Sequence, residues 1–578
     1  MGKIYAAKTN HITNPLGFYM EQIVFSWKVK ECKGKKQKNA RILISEKEDF
    51  SEILLDTKEE NLDSCGTKVD LQTEPYTRYY WKVIVATDQE EVVESDVQFF
   101  ETAKQDEPWV GKWITCGWKE GRHPIFSKPV STEKEVERAR LYICGLGLYE
   151  AYFTSNKTEK TEKIGKEYLT PYCNNYDQWI QYQTYDVTGL LQEKNTLELR
   201  LADGWYRGSS AAYGATNVYG SQTSLIAQLE IDYRDGTHQV IATDQTFAWS
   251  NDGSIRFADL KDGEVFDARK KPSYQGKAVE IKDSAKNKPH LQASGNVAVR
   301  EKETFHPQLL IAKDGTKVLD FGQNIAGYMA FSIQGKQGQK LVLKCGEILD
   351  KTGRVELSGV QETRPAEGWS QIGLMKKLMG APIKGATEVT PKQEITFICS
   401  GNEDSYKTSF AVFGFRYAEI ETDMVIRPEN FTAIAVYSDM ETVGAFHCSN
   451  PMIDQLYQNT LWSMKGNFLD LPTDCPTRER LGWTGDAQIF FNTGAYMMDT
   501  AAFFKKWLGD MRDAQYKNGT IPAVLPYQGV EMMYKMTGVS VGWADAVYLI
   551  PYRYYKRYGD VSVLNDCWEM IEKYAEYL

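Results

Sequence analysis

Between Asp474 and Asp486 the chain reads Asp474-Cys475-Pro476-Thr477-Arg478-Glu479-Arg480-Leu481-Gly482-Trp483-Thr484-Gly485-Asp486: three carboxylates, two arginines and a tryptophan in thirteen residues. These residue types suit chemistry on a sugar. Cleaving a glycosidic bond needs one carboxylic acid that hands a proton to the departing oxygen. Further carboxylates and arginines can hydrogen-bond ring hydroxyls, and an indole face can cover the apolar C–H face of the ring. Each residue also has a plainer explanation. Asp486 suits a helix N-terminus, Glu479 and Arg480 could form a surface ion pair, and Trp483 could be core.

The elements that must position this run read as helices. Asn450-Pro451 is an N-cap followed by proline at the first helical position, and Ile453, Leu456, Leu461, Met464 and Phe468 then recur at helical spacing. Ala487 to Met498 predicts a second helix, with Thr484 as N-cap and Asp486 in its first turn, so the charged run is a loop between two helices. A third helix is expected over Thr500–Tyr516, stopped by Lys517-Asn518-Gly519. A fourth runs over 542–557 with a kink at Pro551, and Gly559-Asp560 ends it. The fifth sets Val561, Leu564, Trp568, Ile571, Ala575 and Leu578 on one apolar stripe.

Upstream of 440 the periodicity is two. Residues 1–103 alternate as strands (Ile23, Phe25, Trp27, Val29; Trp81, Val83, Val85) and form a small β module, read as a spacer. Residues 109–298 and 299–436 are two further β-rich domains, and 440–578 is helical. The Asp-Gly pairs at 235–236, 252–253 and 262–263 are read as hairpin turns. Lys282 to Gly295 is a polar boundary, and 373–380 an inserted loop or short helix.

Composition narrows the function. The 578 residues exceed one core, and 12 % aromatic content with 34 Tyr and 14 Trp indicates globular modules. A net charge of −10 argues against nucleic-acid binding. Ten scattered cysteines and six histidines show no metal-ligand spacing, so neither metal nor cofactor is expected. There is no Gly-rich nucleotide fingerprint, no apolar leader and no membrane-length apolar run, and the expected location is cytoplasmic.

The ordered run from Asp474 to Gln488 resembles the signature of bacterial α-L-rhamnosidases, glycoside hydrolase family 78. The resemblance implies that Glu479 is the general acid and that Asp474, Arg478, Arg480, Trp483 and Asp486 bind rhamnose. Trp543, in a Trp-Ala-Asp-Ala segment similar to the family's, is a further wall residue; Asp545 beside it has no assigned role. Tyr79 to Val85 resembles a fibronectin type III strand, 139–208 the family's N-terminal β-sandwich module, and Asp320-Phe321-Gly322-Gln323-Asn324 its concanavalin-like sandwich. Some relatives of the N-terminal module bind rhamnose with calcium, but no acidic spacing here supports a metal.

The implied fold is three β-sandwich-type domains followed by an (α/α)6 toroid, of which about five of twelve helices are present. The implied reaction is inverting removal of terminal α-L-rhamnose from a small-molecule or oligosaccharide rhamnoside. In the family the general base is a glutamate late in the toroid, so the chain is expected to be an N-terminal fragment with little activity alone. Its unpaired apolar helix surface should favour self-association. Two other readings stand beside this one: a non-catalytic carbohydrate-binding protein built from the β modules, and an (α/α)6 enzyme acting on another sugar, such as a phosphorylase.

Overall fold

Alternation decides the first module. In the computed structural model, which describes residues 2–117, 123–211, 213–274, 276–281, 290–528 and 541–578, the strand Arg78–Thr87 buries every second side chain. Tyr79, Trp81, Val83 and Val85 point inward, where Trp81 meets Phe25 at a ring-centroid distance of 4.3 Å. Three strands, led by Lys3–Thr9 and Ile23–Lys30, make one sheet, and the sheet holding Gln37–Ser45 and Arg78–Thr87 makes the other.

This module is no mere spacer. Lys8 Nζ reaches Asp499 Oδ2 at 2.7 Å and Glu441 Oε2 at 3.3 Å, the first between two helices of the helical region and the second just before that region. His11 Nε2 lies 2.9 Å from Asp560 Oδ2. Both side chains are nearly buried, so the contact between the modules is built from desolvated polar groups, among them the Lys8–Asp499 ion pair.

The second module packs a seven-stranded sheet on a six-stranded one. Strand Val136–Leu146 sits between Trp179–Asp186 and Ser224–Tyr233, antiparallel to both. Leu141, Ile143, Leu199, Leu201 and Leu229 are shared core. Asp235-Gly236 turns between paired strands as expected. Asp252-Gly253 does not, because Ala248–Ser250 belongs to this module while Ile255–Asp259 has left it. The hairpin Ile255–Asp259 and Gly263–Asp267, turning at Asp262-Gly263, joins the third module instead, where Gly263–Asp267 runs parallel to Glu394–Ile398. Of the boundary read at Lys282–Gly295, residues 282–289 lie outside the described residues.

That third module is a ten-stranded sheet built around the 18-residue strand Lys317–Gln334. The Asp-Phe-Gly-Gln-Asn run is an irregularity in this strand, where the register shifts between Asp320 and Ile325. The short helix α1 (Gly204–Arg207) follows a second-module strand. The inserted segment forms α2 (Gln371–Leu378), N-capped by Ser370, and docks Trp369 and Leu374 against Ala215 of the second module.

The helical region begins with α3 (Pro451–Asn467), whose Asn450 cap accepts the Met452 amide at 3.0 Å. Leu461 and Met464 are buried, whereas Ile453 and Leu456 face water. Next come α4 (Thr484–Met497) and α5 (Ala501–Asp513), then α6 (Val541–Ala544), α7 (Ala546–Tyr558) and α8 (Ser562–Tyr577). Three expectations need correction. Trp483, not Thr484, occupies the N-cap of α4, because Thr484 is already helical and its hydroxyl donates to Ala523 O. The fourth helix breaks at Asp545, and Pro551 lies inside α7. The buried face of α8 is Val563, Cys567, Met570 and Tyr574; Val561, Trp568, Ala575 and Leu578 of the expected stripe are exposed. Gly559 ends α7 in a left-handed conformation, φ 74°, which glycine adopts freely.

Candidate active site

The loop between the short strand Leu471–Pro472 and α4 is closed on itself. The Asp474 amide donates to Leu481 O, and the Leu481 amide returns a bond to Asp474 Oδ1, both at 3.1 Å. The Glu479 amide donates to Cys475 Sγ at 3.2 Å. Arg480 takes a left-handed backbone, φ 53°, which sends the chain back toward Trp483. The residues 474–483 therefore form a tight lobe with Arg478 and Glu479 at its tip. A second segment fixes the lobe's base: the Leu525 amide donates to Gly482 O and the Thr484 amide to Ala523 O, each at 2.9 Å.

Both Glu479 oxygens are engaged. Arg478 Nη2 donates to Oε1 at 2.5 Å and the Trp483 indole donates to Oε2 at 2.9 Å. The Glu479 side chain is 16 % exposed and that of Arg478 46 %, so the guanidinium forms the outer rim. Asp474 stands just behind. Burial, and then the neighbouring Glu479 charge, push its carboxyl up to about 6. Asp486, exposed in the first turn of α4, is also raised by burial of its carboxyl and by Glu479. Three carboxyls thus share one end of α4, and burial beside Glu479 raises two of them, Asp474 and Asp486.

Trp543 also belongs to this end. Its indole lies over Gly485, so close that a Cβ there would stand 2.8 Å from the ring. Gln488 of α4 donates to Gly542 O, which fixes α6 alongside. Asp545 faces elsewhere and accepts a hydrogen bond from Tyr574 OH at 3.2 Å.

Arg480 is placed differently from a sugar-facing cation. It is buried beneath the lobe, where Nε donates to Pro476 O and Nη1 to Leu260 O, both at 2.9 Å. Burial lowers its guanidinium to about 10. Sequence reasoning also missed the neighbour that meets it. Lys261, buried in the Asp259–Asp262 turn, donates Nζ to Arg478 O and Ala211 O. Nothing in its local pattern marks it, because its partners are far away along the chain.

A carboxylate lobe at the end of helical hairpins, seated on β-sandwich modules, is the architecture of the six-hairpin glycosidase class. Family models agree along the chain. An α-L-rhamnosidase N-terminal domain matches 134–304, a bacterial α-L-rhamnosidase concanavalin-like domain 311–437, and a bacterial α-L-rhamnosidase six-hairpin glycosidase domain 441–578. The chain belongs to the bacterial α-L-rhamnosidase family. Residues 4–106 match a Rha78A-like N-terminal immunoglobulin domain, which replaces the fibronectin-like description of the first module.

An α-L-rhamnosidase from Streptomyces avermitilis is 32 % identical over 459 residues, covering 77 % of this chain and 40 % of its own length. One from Formosa agariphila is 27 % identical over 98 % of this chain and 60 % of its own. The chain thus spans about half the length of these curated relatives. Among solved structures, an α-L-rhamnosidase from Dictyoglumus thermophilum matches with TM-score 0.86 at 27 % identity, over 100 % of this chain and 64 % of its own. A Streptomyces avermitilis α-L-rhamnosidase complexed with L-rhamnose matches with TM-score 0.85 at 22 % identity, over 100 % and 71 %, which shows the shared fold.

Proposed function

We propose that the protein is a glycoside hydrolase that removes a terminal α-L-rhamnosyl unit with inversion, and that α3 to α8 belong to an (α/α)6 ring. One observation carries this reading: Glu479 is held between a rim arginine and an indole, with a second carboxyl pushed up to about 6 behind it. Relatives named α-L-rhamnosidase supply the sugar.

On substrate entry the sugar's hydroxyls take over the exposed Arg478 and Asp486, and the Trp483 and Trp543 rings face the deoxysugar's apolar side. Water leaves, and the Asp474–Glu479 pair then retains one proton, since two neighbouring carboxylates in a dry site resist joint ionisation. Glu479 delivers that proton to the glycosidic oxygen as its bond to the anomeric carbon breaks. A water adds from the opposite ring face and loses its own proton to a base. Inversion requires that base roughly 6.5–9.5 Å from the acid. Neither Asp474 nor Asp486 is assigned this task, since both adjoin the acid itself. The base is a separate carboxylate, and an activated aryl leaving group, which needs the least help from the acid, is the probe for detecting turnover.

Release of 4-nitrophenol from its α-L-rhamnoside tests the reading. Glu479→Gln should lower the rate on an alkyl α-L-rhamnoside, whose poor leaving group needs the proton, by at least about a hundredfold, the usual scale of general-acid catalysis, and the rate on the 4-nitrophenyl rhamnoside by less. An equal, small effect on both substrates would refute the assignment of the acid.

A further inference from the structure

The turn Asp259-Leu260-Lys261-Asp262, which reads in sequence as an ordinary hairpin reversal, underlies the catalytic lobe. The hairpin leaves the second module, pairs with the third, and projects its turn beneath the helical region. All four residues are buried. Asp259 ties the turn together: Oδ1 accepts the Lys261 and Asp262 amides, each at 2.9 Å, and Oδ2 the Ser209 amide at 2.7 Å. Asp262 anchors it outward, accepting from Arg364 Nη2 at 2.6 Å, Thr390 Oγ1 at 2.8 Å and the Lys392 amide at 3.0 Å. Two groups of this rigid turn then touch the lobe. Leu260 O receives Arg480 Nη1, and Lys261 Nζ donates to the carbonyl of Arg478, the residue before the acid.

We propose that Lys261 is a positioning residue for Glu479: by holding the Arg478 carbonyl, the turn of this third-module hairpin sets where the acid's side chain leaves the lobe. This rests on the reading of Glu479 as the acid. The placement is costly, which argues that it serves the site. Burial, and then the Arg480 charge, push the ammonium down to about 8. A lysine kept only for packing would be replaced by methionine with gain, since an apolar chain of equal length carries no desolvation cost. The charged side chains that face Lys261 are Arg480 on the lobe and Asp259 and Asp262 on its own turn, and the titratable thiol of Cys475 lies beside them.

The test compares Lys261→Met with Lys261→Arg, which keeps charge and donors. Hydrogen exchange of the amides of 477–482 should quicken about tenfold in the methionine variant, as expected when a local tie is lost. Amides in the strand Val136–Leu146 should be unchanged. The second readout is the Asp474 carboxyl titration, followed by 13C NMR. Removing a cation alone would raise its midpoint, whereas a loosened lobe, which takes Glu479 away and lets water in, lowers it by about half a unit or more. We expect the fall, and its reversal by arginine.

Should the methionine variant not fold, Lys261→Gln, polar and shorter, is expected to show the same two changes. A midpoint that rises, or lobe exchange that stays at the wild-type rate, would overturn the proposal. Both readouts are independent of substrate. A wild type that leaves aryl rhamnosides intact would thus count against the proposed reaction and not against this tie.

Discussion

At the scale of residues, the site sorts its carboxyls by what surrounds them. Glu479 receives a guanidinium and an indole N–H, whereas Asp474 is half-buried beside it with one backbone donor. The Asp474 carboxyl titrates near 6 in the folded protein against an ordinary unfolded value near 4. Between those values the folded state binds the extra proton, so the stability tied to this group is full at low pH and declines as pH rises through about 6. Asp474→Asn should remove that downward slope between pH 4 and 6 in urea titrations, by about the effect of one carboxyl. A slope unchanged by the substitution would mean that another group carries it. The residue types of this site were legible in sequence because one uninterrupted run holds them. The inward turn of Arg480 was not, since it depends on a left-handed backbone and on Leu260 O, supplied by another module.

At the scale of elements, the lobe and the segment 521–528 form one unit, and its tightest point is Gly482. A Cβ at Gly482 would stand 2.0 Å from Leu525 O, which leaves no room for any side chain. Gly482→Ala should cost about 2 kcal/mol or more in a chemical-denaturation measurement, the scale of a large single-site effect. A loss within about 0.5 kcal/mol, as for an ordinary surface change, would mean that this contact is loose. Helix starts and strand alternation were readable here because they are local: Asn450-Pro451 caps α3, and Arg78–Thr87 buries every second side chain. The facing of α8 was not, because apolar residues lie on both of its sides and its packing on α7 and α5 selects Cys567 and Met570 over Trp568. The membership of the 255–267 hairpin in the third module escaped for a similar reason, as strand periodicity does not specify a distant partner.

At the scale of the whole molecule, the β modules are structural parts of the site. The third carries the turn beneath the acid. The first clamps the helical region through Lys8 and Asp499 at one point and through His11 and Asp560 at another. Asp560 is held well below the ordinary carboxylate range, against burial, by its bond to His11 and by the Lys505 charge, so it stays charged in the clamp across the neutral range. Apolar side chains also remain outside: Ile489 and Tyr496 of α4 are 73 % and 64 % exposed, and Trp568 of α8 is 57 % exposed. They surround helices whose other faces are fully packed, where Phe491, Phe504 and Tyr554 meet. The measurement closest to the proposed function is calorimetric titration of the intact protein with L-rhamnose, beside its Trp483→Ala and Asp486→Ala variants. Saturable one-site binding, weakened about tenfold or more by each substitution, is the predicted result, since each removes a direct contact worth roughly 1.4 kcal/mol. Binding of equal strength in all three proteins would contradict the assignment of this lobe as the sugar site.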